Sequence, residues 1–233
     1  MSLDVYVMPI WRFKAGDFSS PISRLGLDVP VFTIGPEGTK RSDRRRPSLV
    51  ARWRAKRVTR RLGQEISRKV GRVISWSENG DVAYGEQSGG FESLRSYAKW
   101  LDYRDLLPTF DLPPDDNYYN HPVMTGRFER PPTYPLLVEH NCFSGYFLPV
   151  DFDGVVEVEP YKSWGEFVFT RSVGSSPKLL VELSRLTDLV QADPDAAGQK
   201  GNDPLARVKE ALVQLLEIAR LSCERHLPII FYG

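Results

Sequence analysis

Apolar and other residues alternate in LDVYVMPI, with β-branched character, and predict a strand over residues 3–8. Shorter runs of the same kind predict strands in VPVFTIG and around 136–140, 146–149, 155–159 and 166–170. The closing IIFY is apolar throughout, which suits a buried strand that pairs centrally. Two short alternating runs flank Asn79-Gly80. Asn-Gly is the strongest short hairpin signal, because a type I′ turn needs positive φ at both central residues.

Elsewhere the period lengthens to that of a helix. Residues 48–69 follow Pro47, which fits a first helical position. Phe91, Leu94, Ala98, Leu101 and Leu106 recur at helical spacing. Ser175 or Ser176 can cap a further helix, Pro177 fits its first turn, and Leu179, Leu180, Leu183, Leu186 and Val190 form its buried stripe. The last helix runs from Pro204 to about Arg225, with Leu205, Val208, Leu212, Leu215, Leu216, Ala219 and Cys223 on one face and His226 at its end. Between these elements, residues 108–135 are acidic and rich in proline, which excludes helix interiors and central strands and predicts a long loop or lid. These elements predict an α+β fold: a mainly antiparallel sheet, about four helices and a long Pro-rich loop. Residues 1–233 read as a single domain with a basic helical segment at about 47–70.

Composition alters this picture in one respect. At 41% hydrophobic and 26% charged residues the chain is an ordinary globular one, but its net charge of +1 hides a segregation. Residues 40–72 hold fourteen basic and two acidic residues, a charge of +12, whereas residues 73–170 hold six basic and sixteen acidic, a charge of −10. Residues 1–39 contribute −1 and residues 171–233 balance. Cys142 and Cys223 lie far apart and form no CxxC pair, so both read as free thiols. The start carries no secretory pattern and no apolar run reaches the roughly 20 residues of a membrane span. A cytoplasmic location without membrane contact is expected.

Placed at 100° per residue, Ala51, Ala55, Val58, Thr59, Leu62 and Ile66 fall on one side of the basic helix. Arg54, Lys56, Arg57, Arg60, Arg61 and Arg68 fall on the other, around Trp53. Trp53, Arg57, Arg60 and Arg61 are therefore the candidate anion- or partner-binding residues. Guanidinium forks bind phosphate and Trp can stack on a base. The same face could instead dock on the chain's own acidic surface or on an acidic protein. A pI near 7.7 lacks the excess basicity of a nucleic-acid footprint, so a protein partner is favoured over nucleic acid.

EHNCFSGYFLPVDFD gathers the most reactive side chains, and His140, Cys142 and Asp151 are the candidate catalytic residues. His-x-Cys spacing would put imidazole and thiol on one strand face, where the imidazolium stabilises a thiolate. His121 lies in the Pro-rich loop, and Gly145 fits a turn. No CxxC, HxxxH or GxSxG element completes a metal or nucleophile site, so neither a metal nor a cofactor is expected.

The motifs H-x-C-x-x-G-Y-x-x-P-V-D-F (His140 to Phe152) and V-G-S-S-x-x-L-L-x-E-L (Val173 to Leu183), with the closing LPIIFYG, resemble a loose group of uncharacterised bacterial proteins. Some such proteins are similar to immunity or antitoxin-type partners of secreted toxins. The resemblance covers roughly residues 134–233 and implies a bacterial cytoplasmic protein. The expected function is non-enzymatic protein–protein recognition, immunity-like in its concrete form. A small-molecule enzyme centred on His140, Cys142 and Asp151 is one alternative, and nucleic-acid binding through residues 47–70 is the other.

Overall fold

The computed structural model describes residues 3–18, 31–35, 38–42, 47–88, 90–110, 121–126, 130–141, 144–158, 171–192 and 204–232. The strands are β1 (Leu3–Val7), β2 (Val31–Gly35), β3 (Gly38–Ser42), β4 (Tyr84–Ser88), β5 (Ser144–Leu148), β6 (Val156–Val158), β7 (Arg171–Ser175) and β8 (Ile229–Tyr232). The helices are α1 (Ile10–Ala15), α2 (Leu49–Val70), α3 (Phe91–Leu101), α4 (Pro122–Thr125), α5 (Pro135–Val138), α6 (Ser176–Ala192) and α7 (Pro204–Arg225). Six strands form one sheet in the order β4-β1-β8-β5-β7-β6, and β2 and β3 form a separate antiparallel pair.

The fold is α+β, but the sheet is mixed rather than mainly antiparallel, because β5 and β7 run parallel, with Tyr146 opposite Val173. The described residues form seven helices, against the four expected. Three of the seven, α1, α4 and α5, span only four to six residues, too short for a helical period to register.

Alternation along the sheet divides the core in two. Val5, Val7, Phe147, Ile229 and Phe231 point to one face and pack with apolar residues of α3, α5, α6 and α7. Tyr6, Met8, Tyr146, Leu148 and Ile230 point to the other and pack with Ile10 of α1 and with Leu62 and Ile66 of α2. The basic helix and the α6/α7 layer therefore lie on opposite sides of the sheet. IIFY occupies a central position, as β8 between β1 and β5.

Two local expectations fail for identifiable reasons. No hairpin forms at Asn79-Gly80; β4 pairs with β1 instead. The run before the turn clamps helices: the Trp76 ring lies 3.3 Å from where a Cβ on Gly63 of α2 would sit. The Glu78 carboxylate accepts the N–H of Trp11 (3.1 Å) and the indole N–H of Trp76, while its carbonyl accepts the indole N–H of Trp11. Residues 136–140 contain no strand, because Pro135 opens the short helix α5. Glu182 of α6 accepts the Leu136 and Leu137 N–H groups at 3.1 and 3.2 Å, and Arg95 of α3 donates to the Val138 carbonyl at 2.9 Å. A carboxyl group that accepts at the start of α5 and a guanidinium that donates at its end thus satisfy backbone groups the short helix leaves open. The strand expected at 166–170 lies outside the described residues, as do residues 111–120 of the Pro-rich loop.

Candidate functional site

His140 follows α5 in a bend and is fully buried. Its ring stacks on Phe147 with centroids 4.0 Å apart, and Nε2 lies 3.1 Å from the Tyr146 carbonyl oxygen. Burial holds the imidazole down at about 4, so it is neutral at physiological pH. A Cβ on Gly145 would lie 2.5 Å from the His140 ring and 2.6 Å from the Ser172 carbonyl. That close approach inside β5, rather than a turn, is what Gly145 serves. Asp151 is exposed and lies 3.5 Å from Lys178 Nζ, which also meets Asp153 at 3.1 Å. Cys142 lies outside the described residues. Among the described residues, His140 and Asp151 have separate partners and do not converge. His121 is buried rather than mobile: Nδ1 accepts the Val123 N–H at 3.2 Å, and its ring lies 5.2 Å from that of Phe110.

The basic helix forms where the pattern placed it. Ser48 caps it by accepting the Ala51 N–H, so Pro47 precedes the cap rather than opening the helix. Ala55, Thr59, Leu62 and Ile66 are its buried residues. Its flanks are tied down: Arg52 lies 3.8 Å from Asp17, Lys69 donates to the Glu157 carbonyl at 2.5 Å, and Lys56 sits 4.8 Å over the Trp11 ring. The outward face stands apart. Leu49, Val50 and Trp53 are 82%, 58% and 61% exposed, and Arg54, Arg57, Arg60, Arg61 and Arg68 are exposed beside them. Arg57 lies 5.6 Å from the Trp53 ring centre. Among the described residues no carboxylate pairs with Arg54, Arg57, Arg60, Arg61 or Arg68, so there the outward face is not docked on the chain's own acidic surface.

Among the described residues, four carboxylates of residues 73–170 hold ion pairs. Asp81 pairs with Arg12 at 2.6 Å, Asp105 with Arg130 at 2.7 Å, and Asp151 and Asp153 with Lys178. On the side of the sheet opposite α2, three exposed carboxylates without an ion pair among the described residues share one helix face. Glu210, Glu217 and Glu224 of α7 recur every seven residues, within about 40° of one another and about 10.5 Å apart along the axis. Val213, 66% exposed, lies between the first two. This row escaped the segmental charge counts, because Arg207, Lys209, Arg220 and Arg225 balance it within the same helix; the seven-residue spacing was the available signal.

Among the described residues no group of His, Cys, Asp and Glu could hold a metal ion, and no helix is long and apolar enough to cross a membrane. No curated protein and no solved structure matches the chain. A family model described as "Putative DNA-mimic protein" matches residues 1–231. That match overturns the function expected from sequence. A family described by imitation of DNA directs attention to proteins that bind DNA, not to the toxin of an immunity pair, to DNA held by residues 47–70, or to a reaction at His140. With the model spanning all but two of its 233 residues, the chain belongs to this family of DNA-mimic proteins.

Proposed function

We propose that the chain binds a DNA-binding protein by presenting carboxylates where duplex DNA presents phosphates. The match of the whole chain to the DNA-mimic family carries this reading. Proteins that hold DNA do so largely through Lys and Arg contacts to phosphate, contacts that another rigid array of anions can satisfy. A net charge of +1 confines the imitation to one face rather than to the whole surface. The face best suited is α7, whose Glu210, Glu217 and Glu224 project from one rigid helix anchored by Val208, Leu212, Leu215 and Ala219.

The test begins with proteins eluted from immobilised duplex DNA. Passed over the immobilised chain, a subset should bind and be released by free duplex. The triple variant Glu210→Gln, Glu217→Gln, Glu224→Gln should bind that subset about tenfold more weakly, at roughly 0.5 kcal/mol per exposed charge contact. Retained proteins that free duplex does not displace, or retardation of labelled duplex by the chain itself, would overturn the reading.

A further inference from the structure

The outward face of α2 is the most unusual surface among the described residues. Three large apolar side chains of one turn, Leu49, Val50 and Trp53, open a row of exposed guanidinium groups. Trp and Arg are the side chains most enriched at binding hot spots, and an exposed apolar cluster rimmed by charge marks an interaction surface. Arg54, Arg61 and Arg68 within it recur every seven residues, about 10.5 Å apart and within about 40° of one another. That is the spacing and the angular drift of Glu210, Glu217 and Glu224 on α7. Both helices are 22 residues long, and each row carries exposed apolar groups, Val50 and Trp53 on α2 and Val213 on α7.

We infer that the outward face of α2 docks on the outward face of α7 of a second copy of this chain. The two rows cannot meet within one molecule, because α2 and α7 cover opposite faces of the sheet. For the same reason the contact cannot close into a two-fold dimer. It is head-to-tail, and each docked copy leaves one free Arg row on α2 and one free Glu row on α7. A net charge of +1 puts little global repulsion in its way. Two exposed helix faces make a small interface, so the association is weak and salt-sensitive. The contact uses the α7 row named above but does not require that the row imitates DNA.

Sedimentation of the nuclease-treated full chain at about 0.1–1 mM, the range of weak contacts, tests this. At low salt the weight-average mass should climb with concentration without a plateau at the dimer. At about 1 M salt, where charges are screened beyond about 3 Å, it should return to the monomer. The variant Arg54→Gln, Arg61→Gln, Arg68→Gln should remain monomeric at low salt, and so should Glu210→Gln, Glu217→Gln, Glu224→Gln, both with native circular dichroism. Mixed, the two variants retain one intact α2 face and one intact α7 face between them, and should form a 1:1 pair that grows no further. Trp53→Ala should weaken association with all charges in place. A native chain that stays monomeric at every concentration, a plateau at the dimer, or a mixture that stays monomeric would overturn the inference. None of these results would touch capture of DNA-binding proteins by α7.

Discussion

Replacing Glu182 by Gln should uncover a pH dependence that the native protein conceals. Burial raises the Glu182 carboxyl from 4.5 to about 7 in spite of the two N–H groups it accepts, while burial holds His140 at about 4 instead of 6.5. For His140 the folded value lies below the unfolded one, so its contribution to stability is complete above pH 6.5 and lost as pH falls toward 4. For Glu182 the folded value lies above the unfolded one, so its contribution is complete below pH 4.5 and lost as pH rises through 7. Each displacement is 2.5 (6.5 − 4 and 7 − 4.5), and at 1.36 kcal/mol apiece each has a ceiling of about 3 kcal/mol. Residual hydration of Glu182 lowers its share to about 2 kcal/mol. Between pH 4 and 7 the two losses run in opposite directions and largely offset one another. Glu182→Gln removes one of them. Urea unfolding followed by circular dichroism at pH 7, 5.5 and 4.5 should then show the variant losing about 2 kcal/mol more than the native chain on acidification. A constant loss from altered hydrogen bonding cancels in that comparison. His140→Gln should do the reverse, losing stability relative to native as pH rises. Parallel pH profiles for native and Glu182→Gln protein would refute the reasoning.

Gly145→Ala drives a methyl group into the buried His140 ring and the Ser172 carbonyl, and should cost about 1–3 kcal/mol or more in thermal unfolding, as overpacking does. Ile66→Ala empties a fully buried position between α2 and the sheet. A loss of about 2–5 kcal/mol is expected, readable as a lower urea midpoint with an unchanged slope. Ser175 accepts the Lys178 N–H at the start of α6. Ser175→Ala should remove about 1 kcal/mol, a fall in Tm of about 2–4 °C for a chain of this size.

The long helices were legible because 17 or 22 residues repeat the 3.6 period often enough to exclude other readings. Pro47, Ser175 or Ser176, Pro177 and Pro204 marked their starts to within a residue or two. Leu136-Leu137-Val138 was not legible, since a short apolar run fits strand or helix equally; Glu182, more than forty residues later, decides it. Asn79-Gly80 misled because turn chemistry is local, whereas Trp76 and Glu78 are engaged by α1 and α2. The parallel run of β5 and β7 depends on a crossover that no local pattern encodes. At the candidate surfaces, the exposed face of α2 followed from its amphipathic pattern. Spacing in His140-x-Cys142 suggested a shared strand face, but the ring lies flat on Phe147 after a bend, a packing arrangement invisible in sequence. The carboxylate row of α7 was present in the spacing and hidden only by averaging charge over long segments.

The placement of β8 has a kinetic consequence. Val7 pairs with Ile229, 222 positions later (229 − 7), and β5 pairs with β8 on its other side. During synthesis the sheet therefore stands divided, with β1 and β5 each missing a neighbour, until residue 232 has left the ribosome. Closing a loop of that length must precede the gain from pairing, which slows folding and leaves two strand edges open to other chains in the interval.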